Sequence, residues 1–142
     1  MTSHLYSALS QQVSNLESLC LMLEKELHLI SSRDAETLMS LLSDKSELLE
    51  SIQSTDQKVE ALYRQTTEET ISADEQGLMD KAKSLLEDCK YKTQINQKAV
   101  EQGQLRLTHL RNLMLEVRAK ESLTYDKKGK PNAGRLGSGI SA

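Results

Sequence analysis

Residues 6–30 read YSALSQQVSNLESLCLMLEKELHLI, and apolar residues recur along them at alternating spacings of three and four. This spacing puts an apolar side chain at each a and d position of a heptad repeat, a pattern typical of coiled-coil helices. Such a seam has to be covered by partner helices, so it predicts a helical bundle that binds other proteins. All eight positions of the seam are apolar: Tyr6, Leu9, Val13, Leu16, Cys20, Leu23, Leu27 and Ile30.

The remaining sequence predicts two further helices. Helical periodicity extends over about residues 3–30, 35–65 and 73–122, separated by short polar segments. A connection of four residues after the first helix favours an antiparallel hairpin. The predicted fold is therefore all-α, an antiparallel helical hairpin plus a long third helix in a coiled-coil-like three-helix bundle.

The polar segments carry residues that start helices. Ser3 and Asp34 precede the first two periodic segments and are the residue types preferred at an N-cap. Ser72 and Glu75 have the spacing of a capping box just before the third segment. These residues predict where the three helices begin.

The seams of the second and third helices are less regular than the first. Extra leucines beside the second seam suggest contact with more than one neighbour. A polar stretch around Asn96 and Gly103 makes the middle of the third helix its predicted weak point, because glycine costs about 1 kcal/mol in a helix interior. The second seam is Ala35, Leu38, Leu42, Lys45, Leu49, Ile52, Asp56, Val59 and Tyr63, and Leu41, Leu48 and Leu62 widen it. The third is Met79, Ala82, Leu86, Cys89, Thr93, Asn96, Val100, Gly103, Leu107, Leu110, Met114 and Val117.

The third helix is longer than the hairpin can cover. Helices of roughly 30 residues span about 45 Å, whereas roughly 50 residues span about 75 Å. An uncovered apolar stripe of this size usually marks a binding surface. The alternative is a break between Asn96 and Gly103 that folds the chain back into a four-helix bundle. The residues expected to line the uncovered part are Leu105, Leu107, Leu110, Leu113, Met114, Leu115 and Val117.

Composition excludes several classes of protein. The chain has no Phe and no Trp, and it shows no period-2 alternation, so we expect no β-structure. Apolar stretches fall short of the roughly 20 residues that span a bilayer, and the N-terminal residues lack the pattern of a secretory signal. We therefore expect no direct membrane insertion and a location in the cytosol.

Charge is distributed unevenly along the chain. Residues 1–72 contain 12 acidic and 5 basic side chains, a net charge of −7. Residues 73–142 contain 9 acidic and 13 basic side chains, a net charge of +4. The basic excess is small and has no interleaved aromatic residues for stacking on bases, so we expect no nucleic acid partner.

Residues that could support chemistry are few. His4 and His28 fall at opposite ends of the first predicted helix and His109 falls on the third, so no two of them have ligand spacing, and the common catalytic and phosphate-binding motifs are absent. Cys20 and Cys89 fall on apolar seams and are interpreted as buried free thiols. We therefore expect no catalytic residue, no metal site, no cofactor and no enzymatic activity. A histidine phosphotransfer domain is the enzyme-related alternative, but it needs a histidine followed by Lys and Gly in the next turn, and no histidine of this chain is followed by them.

The last residues have a different composition. Residues 123–142 contain four Gly and one Pro among mostly polar residues, which is typical of a flexible tail. The expected domain organisation is thus a bundle over residues 1–122 and a tail over 123–142. Tyr125 is the aromatic exception in the tail and would either cap the end of the bundle or anchor the tail to a partner.

Three segments of the chain resemble the FlgN-type flagellar export chaperones. These are LESLCLMLEKELHLISSRDAETLMSLLSDKSELLESI at residues 16–52, CKYKTQINQKAV at 89–100 and TYDKKGK at 124–130. Their order, spacing and the total chain length together carry the resemblance. The chain departs from the family pattern in the middle of the third helix, where Gln and Gly stand in place of a second Asn.

The resemblance implies a function in the bacterial type III export pathway. Members of the family bind the C-terminal segments of hook–filament junction proteins, prevent their premature assembly and deliver them to the cytoplasmic domain of the export gate. In this chain the uncovered part of the third helix would bind the cargo, and the tail around Tyr125 would dock on the gate. The expected cargo-binding residues are Val100, Leu107, Leu110, Leu113, Met114 and Val117.

A second reading remains open at this point. A structural or adaptor coiled coil, acting as a homodimeric scaffold, would have the same heptad pattern. The uncovered stripe of the third helix could also pair with a second copy of the chain in a chaperone. Binding to an amphipathic C-terminal segment separates the two readings better than the mass in solution does.

Overall fold

The computed structural model describes residues 3–126 of the chain. Three α-helices run over His4–Ser32 (α1), Ala35–Arg64 (α2) and Ala73–Asp126 (α3), with a short 3-10 turn at Glu68–Thr70. The described residues contain no β-strand. The predicted all-α class is confirmed. Within residues 3–126, none of the helices combines the length and the hydrophobicity of a transmembrane span.

The third helix differs from its prediction at its end. α3 has 54 residues and passes through Asn96 and Gly103 without interruption, so the described residues form three α-helices rather than four. It continues to Asp126, past the expected end at Ser122. Residues 127–142, most of the predicted tail, lie outside the described part, and the division into a bundle and a flexible tail stays a prediction. Contacts within the chain group it into two compact units that meet between Ala99 and Val100.

The junction of α1 and α2 is built from two adjoining caps. Arg33 adopts the left-handed conformation (φ 59°), and its N–H donates to the Ile30 carbonyl over 3.3 Å. The Asp34 N–H donates to the Leu29 carbonyl over 3.2 Å, which completes the Schellman pattern of a helix end. The Asp34 carboxylate then accepts from the backbone N–H of Thr37 over 3.1 Å and so starts α2, as predicted.

The starts of α1 and α3 are joined through one carboxylate. The Ser3 hydroxyl caps α1 by accepting from the Tyr6 N–H over 3.0 Å, and it also donates to Glu75 over 3.2 Å. Glu75 accepts from the Ser72 N–H, while the Ser72 hydroxyl accepts from the Glu75 N–H. The predicted capping box therefore exists, and it adds a link between α1 and α3.

α1 is the central helix of residues 3–99. Its polar contacts with α2 pair early residues of one helix with late residues of the other, as Gln12 with Ile52 and Glu26 with Lys45, so the two helices are antiparallel. Its ion pairs with α3 follow the opposite order, as Glu17 with Lys81 and then Glu24 with Lys92, so these two are parallel. Because partners cover two sides of it, α1 holds most of the buried residues: Leu5, Ala8, Leu9, Gln12, Val13, Asn15, Leu16, Leu19, Leu23, Glu26 and Leu29.

The predicted seams of α2 and α3 need correction. Leu42 and Leu49 of α2 are 40% and 45% exposed, whereas their neighbours Leu41 and Leu48 face the interior. In α3, Leu86 is exposed, and Leu85 turns inward in its place. The reason is packing: adjacent leucines fit a helical period equally well, and contact with α1 selects one of them. The core cluster joins all three helices through Leu19, Leu23 and Cys89, with Cys20, Leu48 and Ile52 against it.

Candidate functional site

The candidate binding surface is an exposed apolar row on the second half of α3. We call it the α3 stripe and define it by the six residues proposed from the sequence as cargo contacts. Each of them is between 43% and 61% exposed. Large apolar side chains that are exposed in a continuous row are unusual on a chain that works alone. The α3 stripe consists of Val100, Leu107, Leu110, Leu113, Met114 and Val117.

Helical geometry places these side chains side by side. At about 100° per residue, five of the six fall on an arc of about 100°, and Leu113 extends the arc to about 140°. From Val100 to Val117 the row is about 25 Å long, roughly five helical turns. This is the width and length that an amphipathic helix needs to pair with a second helix.

Two other leucines of this region do not belong to the stripe. Leu105 is 69% exposed but lies on the opposite face of the helix, about 140° from Val100 in the other sense. Leu115 is only half-buried and also lies outside the arc. The expectation that Leu105 and Leu115 line the same surface is therefore wrong. Leu105 is instead an exposed leucine about 140° around the helix from Leu110 at the centre of the stripe.

Basic residues border the stripe on both sides. On helical geometry Arg111 and Arg118 lie at the Val100 edge of the arc, each about one turn from Met114, and Arg106 lies near the Leu113 edge, one turn before Leu110. An apolar row between guanidinium groups suits a partner helix whose own apolar face is flanked by carboxylates. Exposed pairs of this kind contribute little affinity but help to set the register of binding.

The middle of α3 contains a buried polar network that the sequence did not reveal. Asn96 Nδ2 donates to Glu26 Oε1 over 2.8 Å and to the Leu23 carbonyl over 2.9 Å. Lys45 Nζ pairs with Glu26 Oε2 over 2.7 Å, so one carboxylate connects side chains from all three helices. Asn96, predicted as part of a weak point in the middle of the third helix, instead makes an internal contact within residues 3–99. Lys45 and Asn96 at seam positions were the available signal, but the sequence did not show that both pair with Glu26.

The remaining residues singled out from the sequence are a tyrosine near the end of α3 and two cysteines. Tyr125 lies in the last turn of α3, and its side chain is outside the described part, so its docking role stays a prediction. Cys20 and Cys89 are both free, with Cys89 buried and Cys20 half-buried. Among the described residues no group of His, Cys, Asp and Glu side chains could hold a metal ion.

The sequence profile of one known family, described as FlgN protein, matches residues 1–133. The chain belongs to the FlgN family. This is a family of flagellar export chaperones and is not known for enzymes, so the resemblance seen in the three sequence segments is confirmed. The match takes in the whole α3 stripe and the end of α3. No curated protein and no solved structure matches this FlgN chain.

Proposed function

We propose that this FlgN-type chaperone binds the C-terminal helical segments of hook–filament junction proteins along the α3 stripe. The observation that carries the proposal is the stripe, a row of about 25 Å whose apolar side chains are exposed. Cargo would lay the apolar face of an amphipathic helix on it, and the flanking arginines would meet carboxylates on the cargo. The chaperone then keeps this face from pairing with other subunits before export.

The proposal includes delivery to the export machinery. After binding, the chaperone would carry its cargo through the bacterial cytosol to the cytoplasmic domain of the type III export gate. The residues from Tyr125 onward would dock on the gate, because they match the part of the family pattern associated with docking. The α3 stripe and Tyr125 are about eight residues apart in sequence, so cargo binding and docking can be separated by substitution.

Affinity must be moderate if the cargo is to leave. A row of six apolar residues offers a limited apolar area, and burial contributes roughly 25 cal/mol per Å² before the losses of association. These losses include ordering the cargo segment, which is unpaired before binding. We therefore expect dissociation constants in the micromolar range rather than the picomolar range.

Calorimetry with the purified chain and the C-terminal segment of a junction protein tests the proposal. We expect one-to-one binding that Leu110→Asp abolishes, because a carboxylate in the centre of the stripe would be buried against apolar cargo. Leu105→Asp is the matched control, since it makes the same change on the opposite face of the same helix and should leave binding intact. Circular dichroism must show equal helicity for both variants.

Two outcomes would contradict the proposal. Binding that is lost equally in both variants would mean that the stripe is not the site. Absence of binding by a well-folded chain, together with a stable dimer in sedimentation that Leu110→Asp dissociates, would favour the scaffold reading. In that case the stripe would pair two copies of the chain.

A further inference from the structure

Cys20 and Cys89 form a close thiol pair between two helices. Cys20 lies on α1 and Cys89 on α3, and their Sγ atoms are 3.1 Å apart. Cys89 is buried, whereas Cys20 is half-buried at the edge of the core cluster. One sulfur is therefore partly open to small solutes and the other is shielded behind it.

The packing around the pair holds both sulfurs in place. Cys89 Sγ lies 3.7 Å from the Leu16 carbonyl, and Cys20 Sγ lies 3.9 Å from the Leu85 carbonyl. Along the same interface, the ion pairs of Glu17 with Lys81 and Glu24 with Lys92 flank the thiols on either side. A disulfide needs sulfurs about 2.05 Å apart, so a relative movement of about 1 Å would join them.

We propose that Cys20 and Cys89 are a redox site that closes to an intramolecular disulfide and braces α1 to α3. The oxidant is a small peroxide, and a small dithiol reverses the reaction. The inference goes beyond the proposed chaperone function and does not depend on which cargo is bound. It assigns a chemical role to two cysteines that otherwise look like ordinary core residues.

The reaction balances with hydrogen peroxide alone. The Cys20 thiolate attacks one peroxide oxygen, the O–O bond breaks, and the departing hydroxide takes up the thiol proton to form water. Cys20 is then a sulfenic acid. Cys89 sulfur attacks Cys20 sulfur, the S–O bond breaks, and the Cys89 proton leaves with the hydroxide as a second water. The two thiols lose two electrons, which the peroxide gains.

The exposure of the two sulfur atoms to peroxide decides which of them reacts first. Peroxide can reach half-buried Cys20 but not buried Cys89. Burial, followed by the hydrogen bond with Cys20, raises the pKa of the Cys89 thiol to about 12, which keeps Cys89 protonated until Cys20 is oxidised. The outer thiol is thus the first to react and the inner thiol resolves it.

The disulfide would oppose unfolding of residues 3–99. It would close a loop of roughly 70 residues that contains all of α2, and long loops gain the most from crosslinking. In the reducing cytosol the thiols would normally remain reduced, so the brace would form only under oxidative stress. The disulfide would thus stabilise the folded chaperone under conditions that oxidise other proteins.

The test treats the folded full-length chain briefly with hydrogen peroxide and measures intact mass, alkylation and thermal unfolding. We expect a monomer lighter by about 2 Da, two thiols that alkylate only after dithiothreitol, and a melting temperature raised by about 10 °C or more. Dithiothreitol should return all three readings to their starting values.

Two variants and one control complete the test. Cys20→Ala is expected to fold and to show no mass change, because the remaining thiol is buried. Cys89→Ala should stop at the sulfenic acid, about 16 Da heavier. Oxidation of the urea-unfolded chain shows how readily the disulfide forms without the fold. The inference is overturned if the folded chain accumulates higher oxides of Cys20, if the disulfide joins two chains, or if the melting temperature does not rise.

Discussion

Asn96 of α3 donates its side-chain amide to Glu26 of α1 over 2.8 Å, deep in the part of the bundle where both side chains are buried. A buried carboxylate is tolerated only when its oxygens are paired. Asn96 pairs one oxygen and Lys45 pairs the other, so three helices must be in register to satisfy one charge. The network therefore favours one alignment of helices whose leucine seams would allow several.

Replacing Asn96 with leucine should destabilise the bundle. The substitution adds apolar volume but leaves a Glu26 oxygen and the Leu23 carbonyl without the amide, at a cost of about 1–3 kcal/mol in the free energy of unfolding. Urea denaturation measures the loss. Gln94→Leu is the control, because Gln94 is exposed on the same helix and its replacement should change stability by less than about 0.5 kcal/mol. Equal effects of both substitutions would show that the network has no special role.

Arg33→Gly should stabilise the protein. Arg33 has a φ of 59°, a left-handed conformation that strains a residue with a Cβ atom by about 1 kcal/mol or more, and glycine is the usual residue at this position of a helix end. Glycine also gains freedom in the unfolded chain, so we expect a net gain below about 1 kcal/mol, read from the midpoint of urea denaturation. A loss of stability would mean that the arginine side chain makes a compensating contact.

Stability should fall in acid through the carboxylates that cap the helices. Hydrogen bonds from the Ser72 backbone and side chain lower the pKa of Glu75, and those from the Thr37 side chain and backbone lower the pKa of Asp34. The folded state therefore binds these protons less readily than the unfolded state. Their stabilisation is present above the ordinary pKa values, near 4.5 and 3.8, and is lost as pH falls through the lower folded values.

The acid effect can be measured with one variant. Glu75→Gln keeps an amide oxygen for the capping box but removes the titrating group. Urea midpoints of the natural chain should decline as pH falls below the ordinary carboxylate values near 4.5 and 3.8, and those of Glu75→Gln should decline less. An unchanged pH profile would mean that other carboxylates account for the decline.

Truncation after Ser122 should separate cargo binding from export. The shortened chain keeps the whole α3 stripe but loses Tyr125 and everything after it. We expect calorimetric affinity for the cargo segment within about twofold of the full chain, and a large reduction in secreted junction protein in cells. Tyr125→Ala should give the same pattern more weakly. Loss of cargo binding on truncation would place part of the binding site beyond Ser122.

Most of the fold follows from local chemistry. The first apolar seam, the caps at Ser3 and Asp34 and the capping box of Ser72 and Glu75 all depend on residues within a few positions of one another, and each was predictable from that spacing. The length and apolar content of the third helix likewise predicted an exposed row, and the six residues of the α3 stripe are exposed. Their role in binding cargo stays a prediction.

Packing between helices decides which of two adjacent leucines is buried and which distant residues become partners, and local sequence spacing does not. Leu41 and Leu42, or Leu85 and Leu86, satisfy a helical period equally well, because adjacent positions differ by only about 100° around the helix. Contact with α1 turned Leu41 and Leu85 inward and left Leu42 and Leu86 exposed. The same contacts made Asn96 a partner of Glu26 and brought Cys20 within reach of Cys89. These pairs lie about 70 residues apart in sequence, so no local pattern encodes them, and only the assembled helices bring them together.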